Sequence, residues 1–242
     1  MERSLQINYE IIQEDNSIED MIRDYEQPLK DFEQDIPDFP MLDIGIGAGE
    51  ETIYYASKGR KIYAVDNEQF VLDLLRKKTK DVDFNITLLH QCFPNISIPE
   101  EKVSCIIMSN LLHFLEDYSA IKAGVEQMSN FLVPGGLLLV RVHSLDHPAN
   151  NPRMDGSIFK HFFTEEEVRN LLDSASFEQI YYSKYSKKFG KKARNHRKKW
   201  LSRVWTDDGG SLDDLRFKVW SNQNMSKYEE DCIITIFKKV DK

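Results

Sequence analysis

Residues 41–49 read Met-Leu-Asp-Ile-Gly-Ile-Gly-Ala-Gly, an apolar run that passes directly into three glycines at alternate positions. The apolar half is typical of a buried strand, and the residues from Glu50 to Lys58 read as a helix. Glycines between a strand and a helix let the backbone turn tightly and bring main-chain N–H groups against a ligand. The stretch therefore predicts an open α/β sheet with a ligand site at the carboxyl end of its first strand.

The rest of the chain alternates strand and helix patterns. Further strands are predicted at 61–65, 84–89, 103–108, 137–142, 177–185 and 232–237, and further helices at 68–78, 118–131 and 164–175. Pro134, Gly135 and Gly136 are predicted to form a turn that leads into the fifth strand. This alternation predicts a parallel sheet that is covered by helices on both faces through right-handed crossovers.

A single domain with four parts is the predicted organisation. The parts are an N-terminal helical cap (1–39), a ligand-binding core (40–183), a basic helical insertion (184–230) and a closing strand (231–242). The last two strands are separated by roughly 45 residues, whereas a hairpin needs only about 2 to 5. The insertion is therefore interpreted as an elaboration on one fold.

Charge is distributed unevenly along the chain. The formal net charge is −8, but the basic strip, Lys184 to Arg203, contains ten Lys and Arg residues and no Asp or Glu. The rest of the chain carries 22 basic and 40 acidic residues. The strip is interpreted first as a solvated face that balances an acidic body. Its functional alternative is a contact with nucleic acid, an acidic partner or an anionic membrane surface.

Cysteine usage and hydropathy exclude several classes of protein. Cys92, Cys105 and Cys232 are too few and too scattered for a disulfide framework, and they fit no Cys/His metal spacing. The apolar stretches are too short to span a membrane, and the N-terminus has no apolar signal region. The sequence therefore predicts a reduced, cytoplasmic protein with no transmembrane segment and no metal site.

The ligand predicted at the glycine loop is a cation. Asp43, Glu50 and Glu51 flank the glycines, and no Lys or Arg occurs between Leu42 and Tyr55. These carboxylates would repel a pyrophosphate, and Glu50 replaces the third glycine of a dinucleotide fingerprint. S-adenosylmethionine suits the site, because its sulfonium and ammonium groups against one carboxylate give it a net charge of about +1.

A second carboxylate follows the next predicted strand. Asp66 comes 23 residues after Asp43, where a carboxylate can accept hydrogen bonds from both hydroxyls of a ribose. The alternative for Asp66 is an ordinary N-cap of the helix that follows. The glycine loop and the length of the strand–helix–strand unit favour the ribose interpretation.

Four motifs together resemble the class I S-adenosylmethionine-dependent methyltransferases, and the small-molecule type most of all. The motifs are Leu42–Gly49, Val65–Asp66, Ser109–Phe114 and Leu132–Leu137. The resemblance covers residues 41–175 and the closing strand near Cys232. It implies a three-layer Rossmann-like sandwich with a seven-stranded, mostly parallel sheet whose last strand runs antiparallel.

The same resemblance implies how the cofactor binds. Gly45, Gly47 and Gly49 would cradle its methionine part, Asp43 would lie near the ammonium group, and Asp66 would hold the ribose. The family often has an Asp beside the adenine after the third strand, and this chain has Gln91-Cys92-Phe93 there. Backbone groups of Cys92 and the ring of Phe93 are predicted to replace it. The full set of predicted contacts also includes Asn67, Ser109 and Leu111.

Methyl transfer from a sulfonium is an in-line displacement, so alignment and desolvation supply much of the acceleration. A general base is needed only when the acceptor arrives protonated. His113 and His143 follow the fourth and fifth strands and are the candidate bases, with surface or packing roles as the alternative. Tyr25 and Phe163 are the candidate substrate contacts, with ordinary packing as the alternative.

The acceptor is predicted to be a small molecule. Methyltransferases directed at the amino groups of nucleobases and glutamine resemble one another in an Asn/Asp-Pro-Pro-Tyr/Phe box after the fourth strand. This chain has Ser109-Asn110-Leu111-Leu112 at that place, which disfavours the subclass. Two alternatives stay open. One is methylation of RNA or protein guided by the basic strip, and the other is a non-catalytic, methyltransferase-like interaction module.

Overall fold

The computed structural model describes residues 2–25, 28–147, 150, 159–188, 199–200, 203 and 229–240. The helices in these ranges are α1 (Glu2–Asp15), α2 (Ile18–Asp24), α3 (Glu50–Ser57), α4 (Gln69–Thr79), α5 (Tyr118–Ser129) and α6 (Glu165–Arg169). The strands are β1 (Met41–Ile44), β2 (Ile62–Asp66), β3 (Ile86–His90), β4 (Val103–Ser109), β5 (Leu132–His143), β6 (Phe177–Lys188) and β7 (Glu229–Lys239). Two 3-10 turns occupy Lys30–Asp35 and Leu112–Phe114.

The strands form one seven-stranded sheet in the order β3-β2-β1-β4-β5-β7-β6. β1 to β5 pair in parallel, and β7 runs antiparallel between β5 and β6. The predicted three-layer sandwich with an antiparallel last strand is therefore confirmed. The strand order reverses between β1 and β4, and such a switch point is where open sheets bind ligands.

Alternate residues of the central strands face two different apolar layers. In β5, Leu138 and Val140 pack in the layer that contains α5, whereas Leu137 and Leu139 pack in the layer that contains α3. Because side chains alternate with a period of two, Arg141 continues the α3-facing series. The α3-facing layer also receives residues of α2 and α4, so the N-terminal helices cover this face.

Two predicted boundaries around β5 and α6 are wrong. Pro134, Gly135 and Gly136 lie inside β5 and do not form a separate turn, because a register irregularity opposite Val103–Cys105 accommodates them within the ladder. The helix predicted to reach Ala175 ends at Arg169. Within the predicted N-terminal helical cap, α1 was not located from the sequence, although Ile7 and Ile11, one turn apart, are both buried.

The insertion leaves the sheet from the edge that carries the ligand loop. β6 is parallel to β5, because both run antiparallel to β7, so the carboxyl ends of β4, β5 and β6 share one edge. β6 continues to Lys188 and β7 begins at Glu229, so both strands are longer than predicted. Most of the predicted helical insertion lies outside the described residues. In the described part of the chain, no helix has the length and apolarity to cross a membrane.

The contact between α5 and the loop after β3 gives a direct test of the packing. A Cβ on Gly124 would lie 2.5 Å from Phe93 Cζ and 3.0 Å from Pro94 Cβ. We expect Gly124→Val to lower the free energy of unfolding by about 2 kcal/mol through overpacking, as measured by urea denaturation. Ala120→Val, on the exposed side of the same helix, is the control and should change it by less than about 0.5 kcal/mol. Equal effects of the two variants would contradict the described packing.

Candidate functional site

The glycine loop joins β1 to α3 at the switch point of the sheet. Gly45, Gly47 and Gly49 have φ angles of 74, 51 and 78°, in the region that favours glycine. At Gly47 a side chain would also collide with a neighbour, since a Cβ would lie 3.3 Å from the Tyr9 ring. The Gly45 N–H donates to the Val65 carbonyl at 2.8 Å, which ties the loop to β2. The three predicted glycines therefore share one left-handed turn beside the end of β2.

Asp43 lies under this loop, buried at the end of β1. The Thr52 hydroxyl donates to Asp43 Oδ2 at 2.6 Å. Burial, reinforced by the charge of Glu51, raises the pKa of Asp43 to about 8. A nearby cation would favour the ionised form and bring the pKa down again. The position therefore suits the ammonium group predicted there from the sequence.

Asp66 ends β2 on the other side of the loop and is also buried. Its Oδ1 accepts the Glu68 N–H at 2.9 Å, and its Oδ2 accepts the Gly47 N–H at 3.3 Å. Burial raises the pKa of Asp66 against the effect of these hydrogen bonds. Asp66 is not the N-cap of α4, because Glu68 holds that position. A carboxylate has about four lone-pair sites, so two accepted bonds leave room for ribose hydroxyls.

α1 covers the glycine loop, which the sequence did not predict. Tyr9 packs on Gly47 and lies near Asp66, and burial followed by that negative charge raises the pKa of its hydroxyl. The Gln13 side-chain amide donates to the Ala48 carbonyl at 2.6 Å. Lys78 of α4 donates in turn to the Gln13 carbonyl at 2.7 Å. The loop is thus held from above by side chains of the N-terminal helix.

The residues predicted around the adenine lie in the loops that follow β2 and β3. Asn67 is exposed, and its carbonyl lies 2.9 Å from His90 Nε2. Cys92 is exposed and its thiol is free. Its backbone forms an isolated antiparallel β-bridge with Asn95. The Phe93 ring packs in the core under α5. The cofactor contacts of Asn67, Cys92 and Phe93 stay predictions.

The end of β4 lies against the glycine loop. Leu111 covers Gly45, where a Cβ would lie 3.0 Å from Leu111 Cδ1. Ser109 is the last residue of β4 and pairs in register with Arg141 of β5. Asn110 between them has a φ of 58°, which is unusual for a residue with a side chain, and its Oδ1 is buried without a hydrogen-bond partner. Leu111 therefore lies at the glycine loop and Ser109 at the end of β4, and their contacts with the cofactor stay predictions.

The two candidate bases are stacked on each other. The rings of His113 and His143 lie 3.8 Å apart and nearly parallel, and His147 stacks on His143 at 3.9 Å. All three histidines are buried, with Phe159 edge-on to each of them. Burial, followed by the neighbouring histidines, lowers the pKa of His113 well below 6.5. His113 is therefore neutral at pH 7, and His147 is a partner that sequence reasoning had ranked below the other two.

The two predicted substrate contacts lie on opposite faces of the sheet. Tyr25 follows α2 and packs on Tyr54 and Tyr55, with ring centroids 5.0 and 6.3 Å away, while its hydroxyl is buried without a partner. Phe163 is buried in the α5 layer, beside the ring of His161. Their contacts with a substrate stay predictions. Phe163 lies in an apolar layer, as its alternative role in packing predicts.

Arg141 is the polar residue of this edge that sequence reasoning missed. It lies in the otherwise apolar β5, and its Nε is buried without a hydrogen-bond partner. Glu51, Tyr25 and Tyr185 lie near enough to act on its charge. The available signal was a single cation in the run Leu-Leu-Leu-Val-Arg-Val at 137–142, since unpaired charges rarely occupy internal strands.

Three cations of the basic strip form ion pairs within the chain. Lys184 Nζ lies 2.5 Å from Asp146, Lys199 Nζ lies 2.5 Å from Asp15, and Arg203 contacts Glu14 at 2.6 Å. Trp200 packs on the buried pair Ile7 and Ile11 of α1. Lys199, Trp200 and Arg203 therefore contact α1, and the three ion pairs favour the charge-balancing interpretation for Lys184, Lys199 and Arg203.

Sequence comparison places this geometry among known proteins. The methyltransferase-domain family matches residues 41–136. The uncharacterized methyltransferase YodH of Bacillus subtilis (strain 168) is 24% identical over 144 residues, which are 58% of this chain and 60% of YodH. An rRNA adenine N-6-methyltransferase of Bacillus licheniformis is 32% identical over 71 residues, which are 29% of this chain and 24% of that enzyme. The chain thus spans about three fifths of the first relative and about a quarter of the second.

Structural comparison gives the same fold. Coclaurine N-methyltransferase, solved with N-methylheliamine and S-adenosylhomocysteine (SAH), has a TM-score of 0.63 and 16% identity, covering 84% of this chain and 67% of that enzyme. This likeness shows the arrangement of the sheet and helices. The family match adds the segment that holds the glycine loop, Asp43, Asp66 and the end of β4. Residues 41–136 therefore match a methyltransferase-domain family, and the chain has the fold that S-adenosylmethionine-dependent methyltransferases share.

Proposed function

We propose that the protein transfers the methyl group of S-adenosylmethionine to a small-molecule acceptor. The observation that carries the proposal is the pair of buried carboxylates, Asp43 and Asp66, on either side of a left-handed glycine loop. Both carboxyl groups have raised pKa values through burial, and the loop has no neighbouring Lys or Arg in sequence. A ligand that brings positive charge and hydroxyl donors would satisfy both groups.

Different residues at the glycine loop and the ends of β1 and β2 would hold different parts of the donor. Asp43 would face its ammonium group, Asp66 would accept from its ribose, and the glycine turn would lie along its methionine part. Tyr9 and Gln13 of α1 hold the loop from above and limit the access of water. The bound donor supplies an already activated methyl group. The protein's own contribution is to orient that group, exclude water and accept a proton where the acceptor has one to lose.

Several observations support a small acceptor. Lys184, Lys199 and Arg203 of the basic strip are paired with acidic residues of the same chain, so a polyanion would have to compete with these carboxylates for them. The likeness to the rRNA methyltransferase covers only 24% of that enzyme, and Ser109-Asn110-Leu111-Leu112 follows β4 where nucleobase enzymes have their proline box. The buried polar atoms near the loop, Tyr25 Oη and Asn110 Oδ1, suit a compact ligand. A cytoplasmic location, predicted from the cysteine content, is part of this proposal.

Cofactor binding is the first test. SAH at about 100 times its dissociation constant should stabilise the protein by about 2.7 kcal/mol in a thermal-shift experiment, and NAD should not. Asp66→Ala should abolish most of the shift, because the ribose loses its acceptor. Asp73→Ala, on the exposed face of α4, is the control and should retain it. Untargeted mass spectrometry of an extract incubated with protein and donor should then detect a methylated small molecule.

The outcomes separate the three candidate functions. Stabilisation by NAD without stabilisation by SAH would eliminate the donor assignment. Methylated RNA or protein without a methylated small molecule would favour the macromolecular alternative. Binding of SAH with no methylated product in any fraction would favour the non-catalytic interaction module.

The pKa of Asp43 predicts a pH dependence of stability. Its folded-state pKa, about 8, lies above the unfolded value of about 3.9, so stability is lost as the pH rises from 4 towards 8. Glu51 and Asp66 are the carboxylates that face it. We expect Asp43→Asn to remove this loss, gaining at least about 1 kcal/mol over wild type between pH 5 and pH 8 in urea denaturation.

The same substitution should weaken the binding of SAH, because the ammonium group loses its counter-charge. The exposed Asp31→Asn is the control and should change neither the pH profile nor the affinity. A wild-type stability that stayed flat or rose between pH 5 and pH 8, together with unchanged binding of SAH by Asp43→Asn, would refute the role of this carboxylate.

We expect substitutions at two histidines of the stack to differ in their effects on kcat and on stability. With an acceptor supplied by the extract screen, His113→Gln should lower kcat by about 100-fold or more if His113 accepts the proton. His147→Gln removes another ring of the same stack and should cost stability without a comparable loss in kcat. Because the pKa of His113 is depressed, the pH profile of wild-type kcat should show no titration near pH 6.5. If both variants lowered kcat by the same small factor, His113 would not be the general base, and the histidine stack would serve packing alone.

A further inference from the structure

Arg141 is a cation in an internal strand. β5 lies between β4 and β7, and apolar layers pack on both faces of the sheet. Arg141 is half-buried, so its guanidinium loses part of its water, and that loss is costly unless a partner compensates for it. The Arg141 Nε is buried and donates no hydrogen bond, and the side chain forms no ion pair with any described residue. Glu51 is the charged group that acts on it, and it does so from beyond ion-pair distance.

A second buried donor lies near Arg141. The Tyr25 hydroxyl has no hydrogen-bond partner, and each of the two side chains acts on the charge of the other. The ring of Tyr25 is fixed by its contacts with Tyr54 and Tyr55, so the direction of the hydroxyl is fixed with it. Both side chains lie on the α3-facing side of the sheet, Tyr25 against α3 and Arg141 in the α3-facing series of β5. A guanidinium and a phenol on one face can form a donor set for an anion, and a planar carboxylate fits the guanidinium fork best.

The residue beside Arg141 is under backbone strain. Asn110 has a φ of 58°, and its N–H donates to the Arg141 carbonyl at 2.9 Å. Its Oδ1 is buried and accepts no hydrogen bond. Strain in a residue with a side chain persists only where the surroundings hold it, and such residues cluster at functional sites. Asn110 thus adds an unused acceptor at the strand end, where its backbone is hydrogen-bonded to that of Arg141.

The position of Arg141 separates it from the donor's amino-acid end. Asp43 and the glycine loop belong to β1, whereas Arg141 belongs to β5, two strands away and about 10 Å across the sheet. In register, Arg141 pairs with Ser109, the last residue of β4 and a predicted contact of the cofactor. Arg141 is therefore two strands from Asp43 and borders the predicted donor site at the end of β4.

We propose that Arg141 and Tyr25 form a carboxylate subsite for the methyl acceptor, with Asn110 Oδ1 accepting an N–H or O–H of the same molecule. The acceptor is then a small carboxylate that also has an amine or hydroxyl group. This inference rests on the proposed function and deepens it. The donor has a carboxylate of its own with the same chemistry, and the experiment distinguishes the two sources.

The first arm measures the donor side. Calorimetric titration with SAH compares wild type, Arg141→Met, Arg141→Lys and Tyr25→Phe, with the exposed Arg76→Met as the control. Each variant is first checked for a cooperative thermal transition, and Arg141→Lys retains the charge where Arg141→Met fails to fold. We expect the SAH dissociation constant of every variant to stay within about threefold of wild type, because neither Arg141 nor Tyr25 is among the predicted contacts of the donor.

The second arm measures the acceptor side on protein saturated with SAH. The probes are glycine, benzoate and 3-hydroxybenzoate, each paired with its carboxamide. Wild type should bind at least one carboxylate about tenfold or more tighter than its amide, as charge-assisted hydrogen bonds imply. Arg141→Met should reduce this ratio to about one, Tyr25→Phe should reduce it in part, and Arg76→Met should leave it unchanged.

The contrary outcomes are distinct. A tenfold loss of SAH affinity in Arg141→Met or Arg141→Lys would assign the subsite to the donor's carboxylate and overturn the acceptor assignment. Equal binding of every carboxylate and its amide by wild type would overturn the subsite itself while leaving the proposed function intact. Failure of wild type to bind SAH would instead remove the proposed function, and the acceptor subsite with it.

Discussion

The left-handed turn from β1 into α3 is the constraint on which the rest of the site depends. Its glycines reverse the chain directly over Asp43, and its N–H groups at Gly45 and Gly47 reach the end of β2 and the carboxylate of Asp66. The turn thereby brings two buried carboxyl groups to one ligand position. It also leaves a surface without side chains, on which Leu111 and Tyr9 pack from opposite sides.

Electrostatics explains why such a turn selects its ligand. Burial makes ionised Asp43 and Asp66 costly in the free protein, and the pKa of each is raised as a result. A cationic ligand would stabilise the ionised carboxylates by acting as their counter-ion, and this stabilisation would contribute to the binding free energy. The free protein is therefore less stable with these groups than it would be with neutral residues of the same shape. This relation between stability and affinity is expected where a binding site is assembled before its ligand arrives.

The parts of the site that could be predicted from the sequence depend on local pattern. Three glycines after an apolar run, and carboxylates at two strand ends, follow from spacing alone. The strand order around them follows from the alternation of elements. Tyr9 and Arg141 were missed for a different reason. Tyr9 acts through a contact 38 residues away in sequence, at Gly47, and no local rule identifies such a contact. Arg141 is one charged residue in a mostly apolar strand pattern, and a single exception does not change the assignment of a strand from its pattern.

The errors at the β5 end also have a physical cause. Pro134 to Gly136 read as a turn, because proline and glycine interrupt most strands. The long pairing of β5 with β4 and β7 overrides that local preference, and the irregularity opposite Val103 absorbs the residues that do not fit the ladder. The histidines show the same dependence on tertiary structure. His113 and His143 are distant in sequence, and only the parallel pairing of β4 and β5 stacks their rings.

α1 connects the two features of the chain that looked unrelated in sequence. One part of the helix holds the glycine loop through Tyr9 and Gln13. Its last turn, Glu14 and Asp15, pairs with Lys199 and Arg203 of the basic strip. The insertion that contains the strip leaves β6 at the same edge of the sheet as the ends of β4 and β5.

α1 therefore contacts both the glycine loop and the described part of the basic strip. Because exposed ion pairs contribute little stability each and weaken with salt, the apolar packing of Trp200 on Ile7 and Ile11 contributes more to this contact than the charges do.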